Sequence, residues 1–183
     1  LASQSHLNVP IIQQSSNFSC GSAALLACLH YWRGENIGID HEADLWKPLD
    51  ISAAAGTEPE SMVAVANRFG LYATHMLGMT VEQLRVLLSR GYTVILCLQA
   101  WKQTAVPYSQ DWEDGHYVVA VGMDASAVYF MDPAVHTAYA SLPITELPKR
   151  WHSPDTDGSP QYGMAIIVRG RAPAVAPNTT PML

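Results

Sequence analysis

The chain has 183 residues, a length suited to one domain, of which 49% are hydrophobic and only 14% charged. Its formal charge of −6, with no basic stripe along the chain, excludes nucleic acid as a partner, because phosphate binding needs clustered Lys and Arg. Three irregularly spaced cysteines, Cys20, Cys28 and Cys97, with no CxxC pair, argue against a disulfide framework and a structural zinc site, so neither a metal nor an organic cofactor is expected.

In chain order, Leu7 to Ile12 is short, apolar and contains Pro10, and reads as an edge strand or an extended arm. A polar loop, residues 13–19, precedes a run from Cys20 to Trp32 that is apolar on nearly every side. Ser19 or Asn17 can cap its start and Gly34 can stop it, so the spacing predicts a central buried helix. A short helix is expected around Glu42 to Trp46. Thr57-Glu58-Pro59-Glu60 has the form of a capping box with proline in the first turn. It opens a helix whose inner face is Met62, Val65, Ala66 and Phe69 and whose stop is Gly70. Thr80-Val81-Glu82-Gln83 repeats the device, with Leu84, Leu87 and Leu88 facing inward and Gly91 ending the helix.

The period then changes. Tyr92 to Gln99 is a β-branched run of strand length. A loop rich in aromatic and acidic residues follows, from Ala100 to Gly115. His116 to Met123 and Ala127 to Met131 read as strands joined by a turn at Asp124-Ala125-Ser126, the second ending at Asp132-Pro133. A short helix around Thr145 to Trp151 and a strand from Tyr162 to Val168 complete the pattern. Helices first and hairpin-linked strands second predict an α+β fold with a helical N-terminal half packed on an antiparallel sheet. One domain over residues 1–171 and a flexible Pro-rich tail over 172–183 are expected. No signal peptide and no membrane-length apolar run is visible. Because the chain starts with Leu1, removal of an upstream segment is expected and with it a periplasmic or secreted location, the cytoplasm being the alternative; a monomer is expected.

The chemistry-bearing positions are spread along this pattern. A cysteine attacks as its thiolate, and the start of a helix favours that charge through unpaired N–H groups and the positive dipole end; a neighbouring imidazolium favours it further. Cys20 occupies such a start, and Gly21 keeps a side chain out of the way of an approaching backbone. His116, at the head of a strand and preceded by Gly115, is the candidate base. In a hairpin centred near Ser126, residue 116 pairs near residue 136. A bulge or small offset then brings Asp132 within about two positions, roughly 7 Å along the strand, where its carboxylate can orient the imidazole. Asp114 is the rival for that role. The Cys20 N–H and a side-chain amide from Gln14, or alternatively Gln13, are the candidate donors for an oxyanion. Cys28 and Cys97 sit in apolar runs and are assigned to the core. The loop before His116 must pass near this site, so Trp101, Trp112, Asp114 and Gly115 are candidate substrate-binding residues.

Gln14, then Cys20-Gly21 opening an apolar helix, then Gly115-His116-Tyr117-Val118-Val119, then Asp132-Pro133 sixteen residues after the histidine, together resemble the bacteriocin-processing peptidase family. The resemblance spans roughly residues 8–168. It implies a papain-like fold, a Cys20–His116–Asp132 triad with Gln14 as oxyanion donor, and hydrolysis of a peptide bond in a peptide or protein substrate. Relatives remove double-glycine leader peptides, often as domains of peptide-exporting ABC transporters. The chain departs from the pattern in having Ser19 where an acidic residue usually precedes the nucleophile. It also lacks any P-loop or membrane helix, so it resembles the stand-alone members more. Acyl transfer through the same acyl-enzyme, or peptide binding without turnover, are the alternative expectations.

Overall fold

The computed structural model describes residues 6–102, 105–155 and 157–172. Helix α1 (Cys20–Arg33) is the axis of the molecule, and every residue from Gly21 to Trp32 is buried. A 3₁₀ turn (Glu42–Leu45) runs into α2 (Trp46–Leu49), and α3 (Pro59–Arg68) leads to β1 (Tyr72–Met76). Then follow α4 (Val81–Ser89), β2 (Thr93–Gln99), β3 (Gly115–Met123), β4 (Ala127–Met131), β5 (Ala140–Pro143) and α5 (Leu147–Arg150). The last elements are β6 (His152–Pro154), β7 (Pro160–Tyr162) and β8 (Ala165–Arg169). Six strands form one antiparallel sheet in the order β1-β8-β2-β3-β4-β5, and β6 and β7 pair separately. This is the expected combination of a helical N-terminal half and an antiparallel sheet.

The sheet is covered on both faces, which explains the unbroken apolar run of β2, buried at all seven positions. Ile95 and Cys97 join Val119, Val121 and Ile166 in a core under α1 and α3. Their strand neighbours Val94, Leu96 and Leu98 point the other way, to Leu84 and Leu88 of α4 and Leu147 of α5. Leu25, Leu26 and Leu29 of α1 are fully buried, each contributing about 1.5–3 kcal/mol by removal from water. Among the described residues no helix is long and apolar enough to cross a membrane.

Some local features agree with expectation and others differ. Residues 7–12 form an extended arm, one of the two forms expected. It is tied by the Leu7 N–H to the Val121 carbonyl (2.7 Å) and by the Tyr139 hydroxyl to the Leu7 and Val9 carbonyls. The expected strand from Tyr162 to Val168 is split, because Gly163 adopts φ 59° and redirects the chain from β7 into β8. The capping box at Thr80 forms, Thr80 accepting from the Gln83 N–H while Gln83 accepts from the Thr80 N–H. The one expected at Thr57 does not. Glu58 is the N-cap of α3, without a side-chain cap bond, and the Thr57 hydroxyl lies against Gly21 instead. Residues 173–183, nearly all of the expected tail, lie outside the described residues.

The space above Gly21 is therefore filled by the chain itself. A β-carbon there would meet Thr57 Oγ1 at 2.5 Å and Thr57 Cβ at 2.6 Å. Gly21→Ala is expected to lower stability by about 1–3 kcal/mol through overpacking in the first turn of α1. Thr57→Gly in the same chain should restore most of the loss. Urea unfolding of the two-variant cycle measures this coupling, and additive effects would contradict the contact.

Candidate active site

Cys20 is the first residue of α1 and half-buried, while Gly21 to Trp32 behind it are buried. His116, the second residue of β3, is opposite Leu98 of β2 and 7% exposed. Asp132 is the residue after β4. The β3–β4 register pairs Val119 with Met131 and shifts at a bulge between Ala120 and Gly122. That shift leaves Asp132 close enough for His116 Nε2–H to donate to Oδ1 at 2.6 Å. Cys20 is near enough to His116 to be among the groups that raise its ring, and with Nε2 committed to the carboxylate Nδ1 is the nitrogen left for other partners. The structure thus brings Cys20, His116 and Asp132 near one another.

Asp132 is 4% exposed, and its oxygens have further donors. The Ala134 N–H reaches Oδ1 at 2.8 Å and the Trp101 indole N–H reaches Oδ2 at 3.1 Å. Burial pushes the carboxyl up, but the His116 hydrogen bond and charge, with the Ala134 and Trp101 N–H groups, outweigh it and hold Asp132 below the usual carboxylate range. Burial pulls His116 down, and the Asp132 and Cys20 hydrogen bonds and charges outweigh that too, raising it to about 9. An imidazolium at neutral pH is the outcome. Desolvation pushes the thiols of Cys28 and Cys97 up to about 12, which keeps both protonated and unreactive.

The two glutamines part company. Gln13 is exposed and lines a separate cavity with Ile11 and Ile12. Gln14 is half-buried, its N–H donates to the Pro133 carbonyl (3.1 Å) beside Asp132, and its Nε2 donates to the Ser16 carbonyl (2.7 Å). One Nε2 hydrogen therefore holds the side chain in place and the second is left for another acceptor.

The residues expected to bind substrate have different positions. Trp112 and Gly115 line a cleft of about 650 Å³ that also contains Cys20. Trp112 packs against His152 (4.5 Å between centroids) and edge-on against Tyr162 (5.6 Å). Trp101 lies instead over Asp132 and borders a second cavity of about 300 Å³ behind the carboxylate. Asp114 donates its backbone N–H to Gln99 Oε1 (3.0 Å), and the carboxylate that meets His116 is that of Asp132. Gln99, wholly buried, also donates to the His152 carbonyl and so pins the loop that precedes His116.

Glu42 is the residue that sequence reasoning missed. It is 4% exposed, and its carboxylate accepts from the Ser15 N–H (2.8 Å), the hydroxyls of Ser15, Ser19 (2.9 Å) and Ser22, and the Trp46 indole (2.7 Å). Burial raises this carboxyl and the donors more than compensate, lowering it overall. Ser19, directly before Cys20, is one of those donors. Glu42 thereby joins the loop between Gln14 and Cys20 to the first turn of α1.

A profile of the Peptidase_C39 like family matches residues 6–156. Among solved structures, a protein described as a C39-like peptidase from Bacillus anthracis superposes with a TM-score of 0.68 at 18% identity, covering 93% of this chain and 99% of that one. A double glycine motif protease from an AMS/PCAT transporter, in complex with the leader peptide, gives 0.60 at 17% identity over 90% and 93%. The peptidase domain of Streptococcus ComA, a bifunctional ABC transporter, gives 0.58 at 16% identity over 88% and 98%. No curated protein sequence matches the chain.

Glu42→Gln would put amide hydrogens against several donors while removing the charge they solvate. An expected loss of about 2–4 kcal/mol follows from leaving buried donors without acceptors. Ser19→Ala, which removes one donor of five, should cost about 1 kcal/mol. Equilibrium urea unfolding tests the order; equal losses would contradict the central role of the carboxylate.

Proposed function

The chain belongs to the Peptidase_C39 like family, a family of cysteine peptidases, and from that premise we propose that it hydrolyses a peptide bond through a Cys20 acyl-enzyme, as in leader-type processing of an extended peptide. The observation that carries this reading is an imidazole hydrogen-bonded to a buried carboxylate and near the only half-buried thiol among the three cysteines. The leader peptide held by the double glycine motif protease supports an extended peptide as the substrate class.

Cys20 sulfur, as thiolate paired with the His116 imidazolium, attacks the scissile carbonyl. The carbonyl oxygen gains the negative charge, and the Cys20 N–H with the free hydrogen of Gln14 Nε2 receives it. His116 then gives its Nδ1 proton to the leaving amine, whose bond to carbon breaks. The same nitrogen takes a proton from water as that water attacks the thioester; the carbon–sulfur bond then breaks, returning the Cys20 thiolate beside the imidazolium, and the acid product leaves. Asp132 keeps the ring in one orientation throughout and stabilises the imidazolium. Trp101 and Ala134 restrain the carboxylate so that it does not swing away.

Iodoacetamide at pH 7 is expected to label Cys20 rapidly and Cys28 and Cys97 hardly at all, since burial keeps those two thiols protonated. Cys20→Ala should abolish the fast labelling and lower hydrolysis of a peptide library by about 10^4-fold or more. Intact-mass spectrometry of the labelled protein and cleavage-site profiling measure the two effects. Fast labelling that survives in Cys20→Ala would refute the assignment of the nucleophile.

A further inference from the structure

The candidate oxyanion donors, the Gln14 side chain and the Cys20 N–H, stand at the two ends of the loop 14–20. They are held in different ways. The Ser19 carbonyl accepts from the Ala23 N–H at 3.2 Å as part of the first turn of α1, which fixes the Cys20 N–H together with the helix. The Gln14 amide has a single hold. Its Nε2 donates to the Ser16 carbonyl at 2.7 Å, while its Oε1, though buried, has no hydrogen-bond partner among the described residues. The direction of the free Nε2 hydrogen therefore depends on where the Ser16 carbonyl stands.

Ser16 is in turn held by Ser19. The Ser16 N–H donates to Ser19 Oγ at 3.1 Å. Ser19 is wholly buried, and its hydroxyl hydrogen has two acceptors in reach, Glu42 Oε1 at 2.9 Å and the Ser16 carbonyl at 3.3 Å. The charged and nearer acceptor takes it, which leaves Ser19 Oγ to accept from Ser16 and the Ser16 carbonyl to accept from Gln14. A relay of hydrogen bonds thus runs from the buried Glu42 carboxylate through Ser19 and Ser16 to the Gln14 amide. Ser22 offers a contrast. Its hydroxyl also donates to Glu42, but its other neighbour is the Ser19 carbonyl, at 3.0 Å, and not Ser16.

We propose that Ser19, anchored on Glu42, is a positioning residue for the oxyanion site, its hydroxyl holding the Gln14 amide through Ser16. The inference rests on the peptidase reading, in which an oxyanion forms, and adds a residue that acts through Gln14 rather than on the reacting atoms. Because the relay serves Gln14 alone, losing Ser19's hydroxyl can cost the reaction no more than losing Gln14 itself.

The test follows acylation of Cys20 by p-nitrophenyl N-acetylglycinate, read as the burst of nitrophenolate, beside alkylation of Cys20 by iodoacetamide. Acylation puts negative charge on a carbonyl oxygen, whereas alkylation displaces iodide from a methylene carbon, so only the first needs the oxyanion donors. Gln14→Ala should slow acylation by about 100-fold and Ser19→Ala by about tenfold, with alkylation within about twofold of the unmodified protein in both. Ser19→Ala added to Gln14→Ala should slow acylation no further. Ser22→Ala, which also takes a hydroxyl from Glu42, should stay within about twofold of the unmodified rate, and Ser19→Thr, which keeps the hydroxyl, should recover most of it. Should Ser19→Ala fold poorly, Glu42→Gln reads the relay from its other end with the same expectation. An unchanged acylation rate in Ser19→Ala, an equal loss in Ser22→Ala, a matching loss of alkylation, or a loss that adds in full to that of Gln14→Ala overturns the proposal, while acylation of the unmodified protein leaves the peptidase reading standing. If the unmodified protein is not acylated at Cys20 at all, the peptidase reading falls and the inference with it.

Discussion

One hydrogen bond, from His116 Nε2 to Asp132 Oδ1 at 2.6 Å, ties the two halves of the site's chemistry to the geometry of a single hairpin. In an unshifted β3–β4 ladder the carboxylate would stand too far along the strand to meet the ring. The bulge between Ala120 and Gly122 takes up the difference. With Nε2 committed, the ring has one nitrogen left, and Cys20 is among the groups near the ring. Everything proposed about the nucleophile therefore depends on a strand register, and the register depends on the apolar residues of β3 that face two different cores.

The other half of the site is fixed by polar contacts rather than by packing. The carboxylate of Glu42 gathers donors from Ser15, Ser19, Ser22 and Trp46, and the N-terminal arm brings Gln14 to the Pro133 carbonyl. The loop carrying the candidate oxyanion donor is thus held at one end by a buried anion and at the other by the residue following Asp132. Such a network is stable only while all its donors are satisfied, and that condition also gives it a defined geometry. The cleft beside it has a different character: Glu58, Glu113 and Asp155 line it together with Phe18 and Trp112.

Much of this was legible in the sequence wherever a residue's role follows from its neighbours along the chain. The apolar run from Cys20, the continuous run of β2, the Thr80–Gln83 capping box and the hairpin ending at Asp132 all read correctly because period and turn chemistry are local. β1, β5 and β6 and the start of β7 were not expected: they are short and carry no run of apolar residues. Thr57 illustrates a local rule overridden by tertiary packing, its hydroxyl drawn from capping α3 to filling the space above Gly21. Glu42 was illegible for a related reason, since its donors come from the loop at residues 15–19, from α1 and from α2 and meet only in three dimensions. Trp101 and Trp112 look equivalent in the loop, yet one borders Asp132 and the other the Cys20 cleft.

The protonation state of His116 tests the central claim most directly. Because its folded value is raised to about 9 from an ordinary 6.5, the charged ring contributes stability in full below pH 6.5, and that contribution is lost as pH rises through 9. Nitrogen-15 NMR of histidine-labelled protein should find both His116 nitrogens protonated at pH 7.5 and titrating near 9. In Asp132→Asn, which removes the largest influence raising the ring, the titration should move well below 9. A His116 that is neutral at pH 7.5 in the unmodified protein, or that titrates identically with and without Asp132, would contradict the account.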